Sequence, residues 1–356
     1  MSAIITLFYR MDLAFFVILT LLSGGVQAYD YLQPLPSQPQ IPADNPQSKA
    51  KIALGKQLFF DTRLSKDGTL SCNSCHNLAA GGDDDGSVGK ISQGKLKRSA
   101  PGLWNVGHMS VYYWDSRATS LETQAADHIL DPAVMGMSSE EALIARFSAI
   151  PGYAKEFSNA FSGSKALNLK NIARAIASFE RTLNTPDSRF DQYIQGKESI
   201  LTKQEKRGIQ LFNDVGCLAC HFGGNFAGPA PGPALKMGDG FYELFPNHMG
   251  SHYDKKYDLV ADLGLYHITL NPADKRLWRV PSMRNIVLTA PYFHNGSVAS
   301  LEEAVRVMAK TQLQKELDEK EVMDIVAFLK TLTGEIPEIT LPQLPDTEGL
   351  SLLTKN

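Results

Sequence analysis

The chain contains few cysteines and carries little net charge. It has four cysteines in 356 residues, and its 35 Lys and Arg residues nearly balance 38 Asp and Glu residues, which gives a formal charge of −3. Charges of both signs are mixed along the sequence, so there is no basic stripe of the kind that binds nucleic acid. We therefore expect no nucleic-acid partner.

Long apolar runs are also scarce. The run at residues 13–22 follows Arg10 and precedes a Val-Gln-Ala sequence at 26–28. It is too short to span a bilayer, which requires ~20 apolar residues, but a basic start followed by a short apolar centre is typical of a secretory signal peptide. We predict that residues 1–28 are a signal peptide and that no membrane span remains after its cleavage. An uncleaved anchor is the alternative.

The four cysteines belong to two copies of one motif, Cys-x-x-Cys-His. This is the attachment motif of a c-type haem. Two thiols three positions apart lie on one side of a helical turn, where they can form thioethers with the two vinyl groups of one porphyrin, and the adjacent imidazole can bind the iron. The sequence therefore predicts two covalently bound haem c groups, attached and ligated by Cys72, Cys75, His76, Cys217, Cys220 and His221. No thiol is left for a disulfide or a nucleophile.

Two other uses of paired cysteines fit the sequence less well. A structural zinc site would join the two pairs in one tetrahedral cluster and would not need a histidine after each pair. A thioredoxin-like redox pair would lie near a βαβ pattern, which the sequence does not show. Covalent haem attachment also requires export, so we expect the protein in the periplasm.

Length and periodicity predict a mainly α fold with two domains. Single hydrophobic cores stop growing near ~250–300 residues, so one haem per domain is the natural division. The proline-rich segment 29–47 indicates an extended arm, 222–262 indicates irregular coil, and 264–270 indicates a short strand. Apolar periodicity and capping residues predict helices from Ser48 to Asp61, at 139–149 after Ser138, at 168–183, from the capping box of Thr202 and Glu205 into the second motif, from Ser300, and at 318–332.

An ordered set of segments accompanies the two haem motifs. With them, the chain resembles the bacterial di-haem cytochrome c peroxidases, whose superfamily includes the MauG-type protein-oxidising enzymes, over roughly residues 48–334. The resemblance implies two cytochrome c-like domains with a calcium ion between them: a peroxidatic haem domain at 48–190 and an electron-transfer haem domain at 191–340, followed by a tail at 341–356. The segments that carry it are 54–61, 113–118, 131–137, 280–285, 289–296 and 301–305.

The resemblance also implies ligands for the iron and calcium ions. Met308 matches the methionine that completes the electron-transfer haem opposite His221, and a thioether ligand raises a haem potential. MauG-type enzymes place a tyrosine there, so Met308 favours the peroxidase branch. Thr289 and Pro291 match positions whose carbonyls bind calcium, an ion that prefers oxygen donors. Ser99 stands where the family has a side-chain amide ligand.

The peroxidatic pocket departs from the family pattern. Lys90 lies in the region of the distal histidine, and Val134 occupies the position of the catalytic glutamate. Gln124 matches the distal glutamine, and His128 replaces a proline. His128 could supply the missing acid–base function, because imidazole titrates near neutral pH; binding the iron and being a surface histidine are the alternatives.

Together these features predict an oxidoreductase that reduces hydrogen peroxide to water. One electron would pass from the haem of His221 to that of His76 through Trp114, which matches a tryptophan between the haems, although an ordinary buried tryptophan is the alternative. A small periplasmic cytochrome c or cupredoxin would be the electron donor, and a homodimer is a further expectation. The alternative functions are MauG-type oxidation of a partner protein and a di-haem electron carrier with a vestigial pocket.

Overall fold

A computed structural model describes residues 32–84, 90–91, 94–95, 98–228 and 241–347. The predicted signal peptide, the side chain of Lys90 and the end of the tail lie outside the described residues. The fold is mainly α, as predicted, with two small antiparallel sheets: β1 (Lys90–Ile91) with β2 (Gly94–Lys95), and β3 (Tyr242–Leu244) with β4 (Leu277–Arg279). No helix in the described ranges is both long and apolar enough to cross a membrane.

The helices are numbered along the chain, and each half of the chain contains several helices and one Cys-x-x-Cys-His motif. The helices are α1 (Lys49–Phe60), α2 (Cys72–Cys75), α3 (Leu121–Leu130), α4 (Glu140–Ser148), α5 (Pro151–Ala160), α6 (Leu169–Glu180), α7 (Arg189–Ile194), α8 (Lys203–Val215), α9 (His252–Lys256), α10 (Tyr266–Thr269), α11 (Leu301–Leu313) and α12 (Glu319–Lys330). Each Cys-x-x-Cys-His motif lies on a short turn, the second directly after α8 and the first after a loop that follows α1.

Capping side chains fix the starts of the predicted helices. Ser48 accepts a hydrogen bond from the backbone N–H of Lys51, and Ser300 caps α11 in the same way. Thr202 and Glu205 form the predicted reciprocal capping box at α8. Such caps satisfy backbone donors that have no partner inside the helix. These helices are therefore confirmed, with α4 capped by Ser139 one residue later than expected.

The predicted strand at 264–270 is wrong. Residues Tyr266–Thr269 form one helical turn, and Gly264 makes an isolated bridge to Leu277. Gly264 and Leu270 both have positive φ, which interrupts an extended backbone at each end of the segment. The apolar Ile268 and Leu270 are exposed, so their alternation reflects no buried sheet face.

Each half has a core in which the helix before the haem motif crosses a later helix. In the first half α1 packs on α6, and a Cβ at Gly55 would lie 1.8 Å from the carbonyl oxygen of Ala175. In the second half α8 packs on α12, and a Cβ at Gly208 would lie 2.0 Å from the carbonyl oxygen of Asp324. Glycine at these crossings lets the two backbones touch. The two halves therefore share one helix-crossing design.

The terminal segments join the halves. Leu32, in the described part of the arm, is buried in the second core, whereas Asn45 donates to Glu122 of the first half at 2.7 Å. Beyond α12 the chain returns to the first half, where Ile336 and Ile339 pack against its core. The arm residues from 32 to 47 form neither helix nor strand. The arm thus contacts both halves, and the segment after α12 connects the second half to the first.

A buried ion pair stabilises the second half where the arm contacts it. Arg284 and Asp191 are almost fully buried, and Arg284 Nη2 donates to Asp191 Oδ1 at 2.7 Å. Because Asp191→Ala leaves a buried cation unpaired, we expect it to lower the free energy of unfolding by ~3–5 kcal/mol. Chemical denaturation of the holoprotein measures this. Asp44→Ala, which removes the exposed partner of Arg174, should cost no more than ~1 kcal/mol; equal effects of the two changes would contradict the argument.

Candidate active site

Both Cys-x-x-Cys-His motifs line one cavity of about 1030 Å³. α2, α3 and the end of α6 form the wall in the first half, and α11 with the segment after β4 forms it in the second. The remaining predicted site residues converge on the same cavity, although they are distant in sequence. Besides the two motifs it is lined by Trp114, Gln124, His128, Thr289, Pro291 and Met308.

The first motif presents a histidine in one fixed orientation. Ser71 and Ser74 form a capping box around the single turn of α2. His76 Nδ1 lies 3.1 Å from the carbonyl oxygens of both Gly82 and Pro101, so Nδ1 carries the proton and donates it. This leaves Nε2 as the ligand atom, an arrangement common to metal-binding histidines. Burial lowers the pKa of His76 and favours the neutral form that binds a metal.

The second motif repeats this geometry. α8 ends at Gly216, whose φ of 108° lets the chain reverse into the turn at Cys217–Ala219. His221 is buried, and its Nδ1 donates to the carbonyl oxygen of Phe226 at 3.1 Å. Burial also lowers the pKa of His221. Two motifs with the same orienting hydrogen bond therefore face one cavity.

The cysteine positions suit thioether formation better than metal binding. Burial raises the pKa of Cys72, and it raises the pKa of Cys217 to about 12 and that of Cys220 to about 11. No cluster of three or more His, Cys, Asp or Glu side chains that could hold a metal occurs within the described part of the chain, which includes all four cysteines. The zinc alternative therefore has no structural support.

A buried cation tests whether a haem fits this cavity. Arg279 is buried, and it donates from Nε to the carbonyl oxygen of Tyr113 at 3.0 Å. No carboxylate pairs with Arg279 anywhere in the described ranges, and burial lowers its pKa to about 10. A buried guanidinium is costly without a counter-ion. The carboxylates of haem propionates are anions of the right chemistry, so the residues present fit the group.

Comparison with known proteins agrees with this geometry. The chain is 41% identical over 332 residues to the cytochrome c551 peroxidase of Nitrosomonas europaea, covering 92% of this chain and 91% of that protein. The chain belongs to the di-haem cytochrome c peroxidase family. The family model, described as di-haem cytochrome c peroxidase, matches residues 49–199. The predicted membership is confirmed, and the protein is an oxidoreductase.

Relatives of the MauG type are also similar to this peroxidase family member. The methylamine utilization protein MauG of Methylorubrum extorquens is 34% identical over 85% of this chain and 84% of that protein. The crystal structure of a MauG-like protein associated with microbial copper homeostasis matches with a TM-score of 0.73 and 33% identity, over 86% of this chain and 94% of that one. The family implies haem c cofactors, a peroxide substrate and a redox partner.

The cavity wall in the first half contains a hydrogen-bonded amide and imidazole on α3. The side-chain nitrogen of Gln124 lies 2.6 Å from Nδ1 of His128, one helical turn away. The ring of Tyr113 meets the His128 ring edge-on, with centroids 5.0 Å apart. His128 lines the cavity, so the surface alternative does not hold. Burial first, then His76 and Arg117, lower the pKa of His128 to about 3, so the expectation that it titrates near neutral pH is wrong.

Trp114 is held by backbone groups from both halves. Its indole N–H donates to the carbonyl oxygen of Ser99 at 2.8 Å, and its own carbonyl oxygen accepts from the backbone N–H of Arg279 at 3.1 Å. The Arg279 guanidinium lies 6.0 Å from the ring centroid. Because the side chain lines the cavity that both motifs share, an indole fixed in this way is placed between the halves.

The segment predicted to bind calcium lies where the halves touch. A Cβ at Gly102 would lie 3.0 Å from Thr289 Cγ2, and one at Gly81 would lie 2.3 Å from the carbonyl oxygen of Leu288. The hydroxyl of Ser99 donates to Asp84 Oδ1 at 3.1 Å, so this side chain is already engaged. The two predicted carbonyl donors thus belong to the interface between the halves.

Glu180 and Arg279 are among the charged residues of the cavity that sequence reasoning missed. Ile172, Ile176 and Glu180 follow one another at intervals of four on α6, so a carboxyl occupies a position of the apolar stripe. That break in the pattern was the available signal. Arg279 directly precedes the matched segment 280–285. Nothing in its sequence context indicated that it would lack a carboxylate partner.

Proposed function

We propose that this protein reduces hydrogen peroxide to water with two covalently bound haem c groups, taking electrons from a small redox protein. Two electrons and two protons convert one peroxide molecule to two water molecules. The observation that carries the proposal is the single cavity in which both motifs, Trp114 and the Gln124–His128 pair meet. The first half would bind peroxide, and the second would receive electrons.

The haem supplies an iron that binds peroxide and exchanges electrons. The protein's own contribution in the first half is to hold protons and exclude water. Gln124 donates its amide N–H to Nδ1 of His128, which leaves the imidazole proton on Nε2. If the amide reverses, Nδ1 donates to the amide oxygen and Nε2 becomes an acceptor. In that tautomer Nε2 can take the proton from one peroxide oxygen, which makes the imidazole transiently cationic, and can then return it to the other oxygen.

The apolar Val134 does not carry protons, so the pair on α3 has the acid–base role in this proposal. Val134 packs against the first core and lines the same cavity. A MauG-type reaction, in which the oxidising equivalents pass to a partner protein, is the second candidate; the similarity to MauG-like structures and the altered pocket favour it. Met308 favours the first candidate, peroxide reduction.

Steady-state turnover tests the proposal. Purified holoprotein is mixed with peroxide and a chemically reduced small cytochrome c or cupredoxin, and donor oxidation is followed optically. We expect oxidation of two donor molecules per peroxide. If the donors are oxidised at the same rate without peroxide, or not at all, the peroxidase proposal fails, and the carrier or the protein-oxidising alternative replaces it.

Met308 tests the second half. It lies on α11, half-buried beside the second core and lining the cavity. If its sulfur ligates the iron opposite His221, Met308→Ala should abolish the near-infrared sulfur-to-iron charge-transfer band and lower the potential of this haem. Covalent haem content should stay unchanged. Met283→Ala is the control, since this methionine also lines the cavity and packs against the same core. A band that survives in Met308→Ala would refute the ligand assignment.

Further features of the proposal concern location and assembly. We place the mature protein in the periplasm because haem c attachment follows export and residues 1–28 have a signal-peptide pattern; cell fractionation tests this. We also propose calcium binding by the carbonyls of Thr289 and Pro291, which lie where the halves touch. Failure of chelator-treated holoprotein to bind calcium in calorimetry would contradict this.

A homodimer is a proposal that light scattering can test.

A further inference from the structure

Glu180 is a buried carboxyl that the proposed reaction does not yet use. It is the last residue of α6, its side chain is 4% exposed, and it lines the cavity beside the first motif. Its Oε2 atom is fully buried and accepts no hydrogen bond from any residue that the structure describes. An ionised carboxylate in that position would lack the donors that normally compensate burial.

The neighbouring arginine does not neutralise it. Arg181 donates through Nη1 and Nη2 to both carboxylate oxygens of Glu122, at 2.7 and 2.9 Å. That pair satisfies itself and places a second negative charge near Glu180. Burial first, and also Glu122, raise the pKa of Glu180 to about 8, whereas Arg181 opposes the shift. The carboxyl is therefore neutral at neutral pH and close to its titration range.

The groups that face Glu180 place it at the edge of the first haem site. Its charge acts on the Cys72 thiol of α2, which is a predicted point of haem attachment, and on the Tyr112 hydroxyl. From α3 it is faced by Glu122, and Arg181, the next residue in the chain, also faces it. Burial raises the pKa of Tyr112 above its ordinary value, so its hydroxyl is neutral near pH 8. Thus Glu180 is the group in this set that can change charge near neutral pH.

We propose that Glu180 stores an exchangeable proton for the first haem site, binding one proton from solvent when the haem attached to Cys72 gains one electron. The inference rests on the proposed haem occupancy but not on peroxide turnover. The added electron removes one unit of positive charge from the cavity, and the negative carboxylate is then repelled more strongly in a medium of low dielectric constant. Protonation of the carboxylate removes that repulsion. The O–H bond of the carboxylic acid is the one bond that forms in this step.

This linkage makes the reduction of the first haem depend on pH in one window. Well below the pKa, Glu180 is protonated in both redox states, and reduction brings in no proton. Around pH 8 Glu180 loses its proton in the oxidised state, so reduction of the haem is accompanied by uptake of one proton. The equilibrium constant for reduction then falls by up to tenfold for each unit by which the pH rises. Peroxide reduction consumes protons, so a stored proton in this cavity can enter the reaction.

The test is a potentiometric titration of the holoprotein between pH 6 and 10, following the first haem optically, together with reduced-minus-oxidised infrared spectra. We expect Glu180→Gln to remove the pH dependence near pH 8 and to remove a carboxylic acid C=O band that shifts in heavy water. Glu198→Gln, at an exposed site, should retain both.

The outcomes distinguish failure of the Glu180 inference from failure of the haem proposal on which it rests. Haem content by pyridine haemochrome, measured first, shows whether the first motif is loaded; an empty motif overturns the haem proposal and this inference with it. A loaded protein in which Glu180→Gln keeps the wild-type pH dependence overturns the inference alone. If Glu180→Gln does not fold, wild-type spectra decide: absence of any carboxylic acid band change on reduction overturns the inference, and Glu180→Asp should keep a band at a shifted position.

Discussion

Replacing both Cys72 and Cys75 with serine should reduce peroxide turnover to the limit of detection. These residues lie on the turn of α2 beside His76, and serine hydroxyls do not form thioethers with the haem vinyl groups. The first half would then lose the iron that binds peroxide, whereas the hydrogen bonds that orient His221 in the second half remain. Pyridine haemochrome should report half of the wild-type haem, and stopped-flow mixing with reduced donor should still show one-electron reduction of the second haem.

The matched control is the double change of Cys217 and Cys220 to serine. It should also abolish turnover with a protein donor, but for the opposite reason, because electrons have no entry point. The first haem should still bind an added ligand such as cyanide. If both double variants lose the same spectroscopic species, or if the first retains turnover, the division of labour between the halves is wrong.

Much of the helical framework could be predicted because it depends on local signals. Ser48, Thr202 and Ser300 each accept from a backbone N–H three residues ahead, and such a contact requires nothing from distant sequence. The apolar stripe of α6 is visible for the same reason. Local chemistry therefore determined where most of the long helices begin.

Elements that depend on tertiary contacts escaped prediction. α3 was not identified, although it carries Gln124 and His128, because its buried residues are few and its exposed face is mixed. The segment 264–270 has strand-like composition, but the positive φ values at its two ends convert it into a turn. Leu277, which makes a single bridge to Gly264, also pairs with Leu244 of β3, and this pairing is invisible in the local sequence.

The residues of the candidate site also differ in whether local sequence predicts their role. Haem attachment follows from spacing alone, whereas the environments of Glu180, Arg279 and His128 follow from burial. An arginine is normally paired, and only the folded chain shows that Arg279 lacks a carboxylate partner among the described residues. The pKa of His128 likewise departs from its ordinary value because the cavity removes it from water. Sequence predicts which groups are present, and packing determines their charge.

His128→Ala should lower peroxide turnover by ~10²–10⁴-fold, the usual contribution of an acid–base group. Its Nδ1 is held by Gln124, and Val134 provides no carboxylate in the same pocket. Because the pKa of His128 is about 3, the imidazole is neutral above pH 5, so its contribution to wild-type turnover should not vary between pH 5 and 8. Steady-state assays over that range measure both effects, and the spectrum of the second haem should stay unchanged.

The spectrum of the first haem distinguishes the two cavity roles of His128. If His128→Ala converts a low-spin first haem to high-spin and raises turnover, then His128 is an iron ligand that blocks the site rather than a proton carrier. Gln124→Ala is the companion variant: it removes the hydrogen bond to Nδ1 but keeps the imidazole, so it should lower turnover less than His128→Ala does. If neither variant changes rate or spectrum, the pair on α3 is not the acid–base group, and the proton for peroxide cleavage must come from another residue of the cavity.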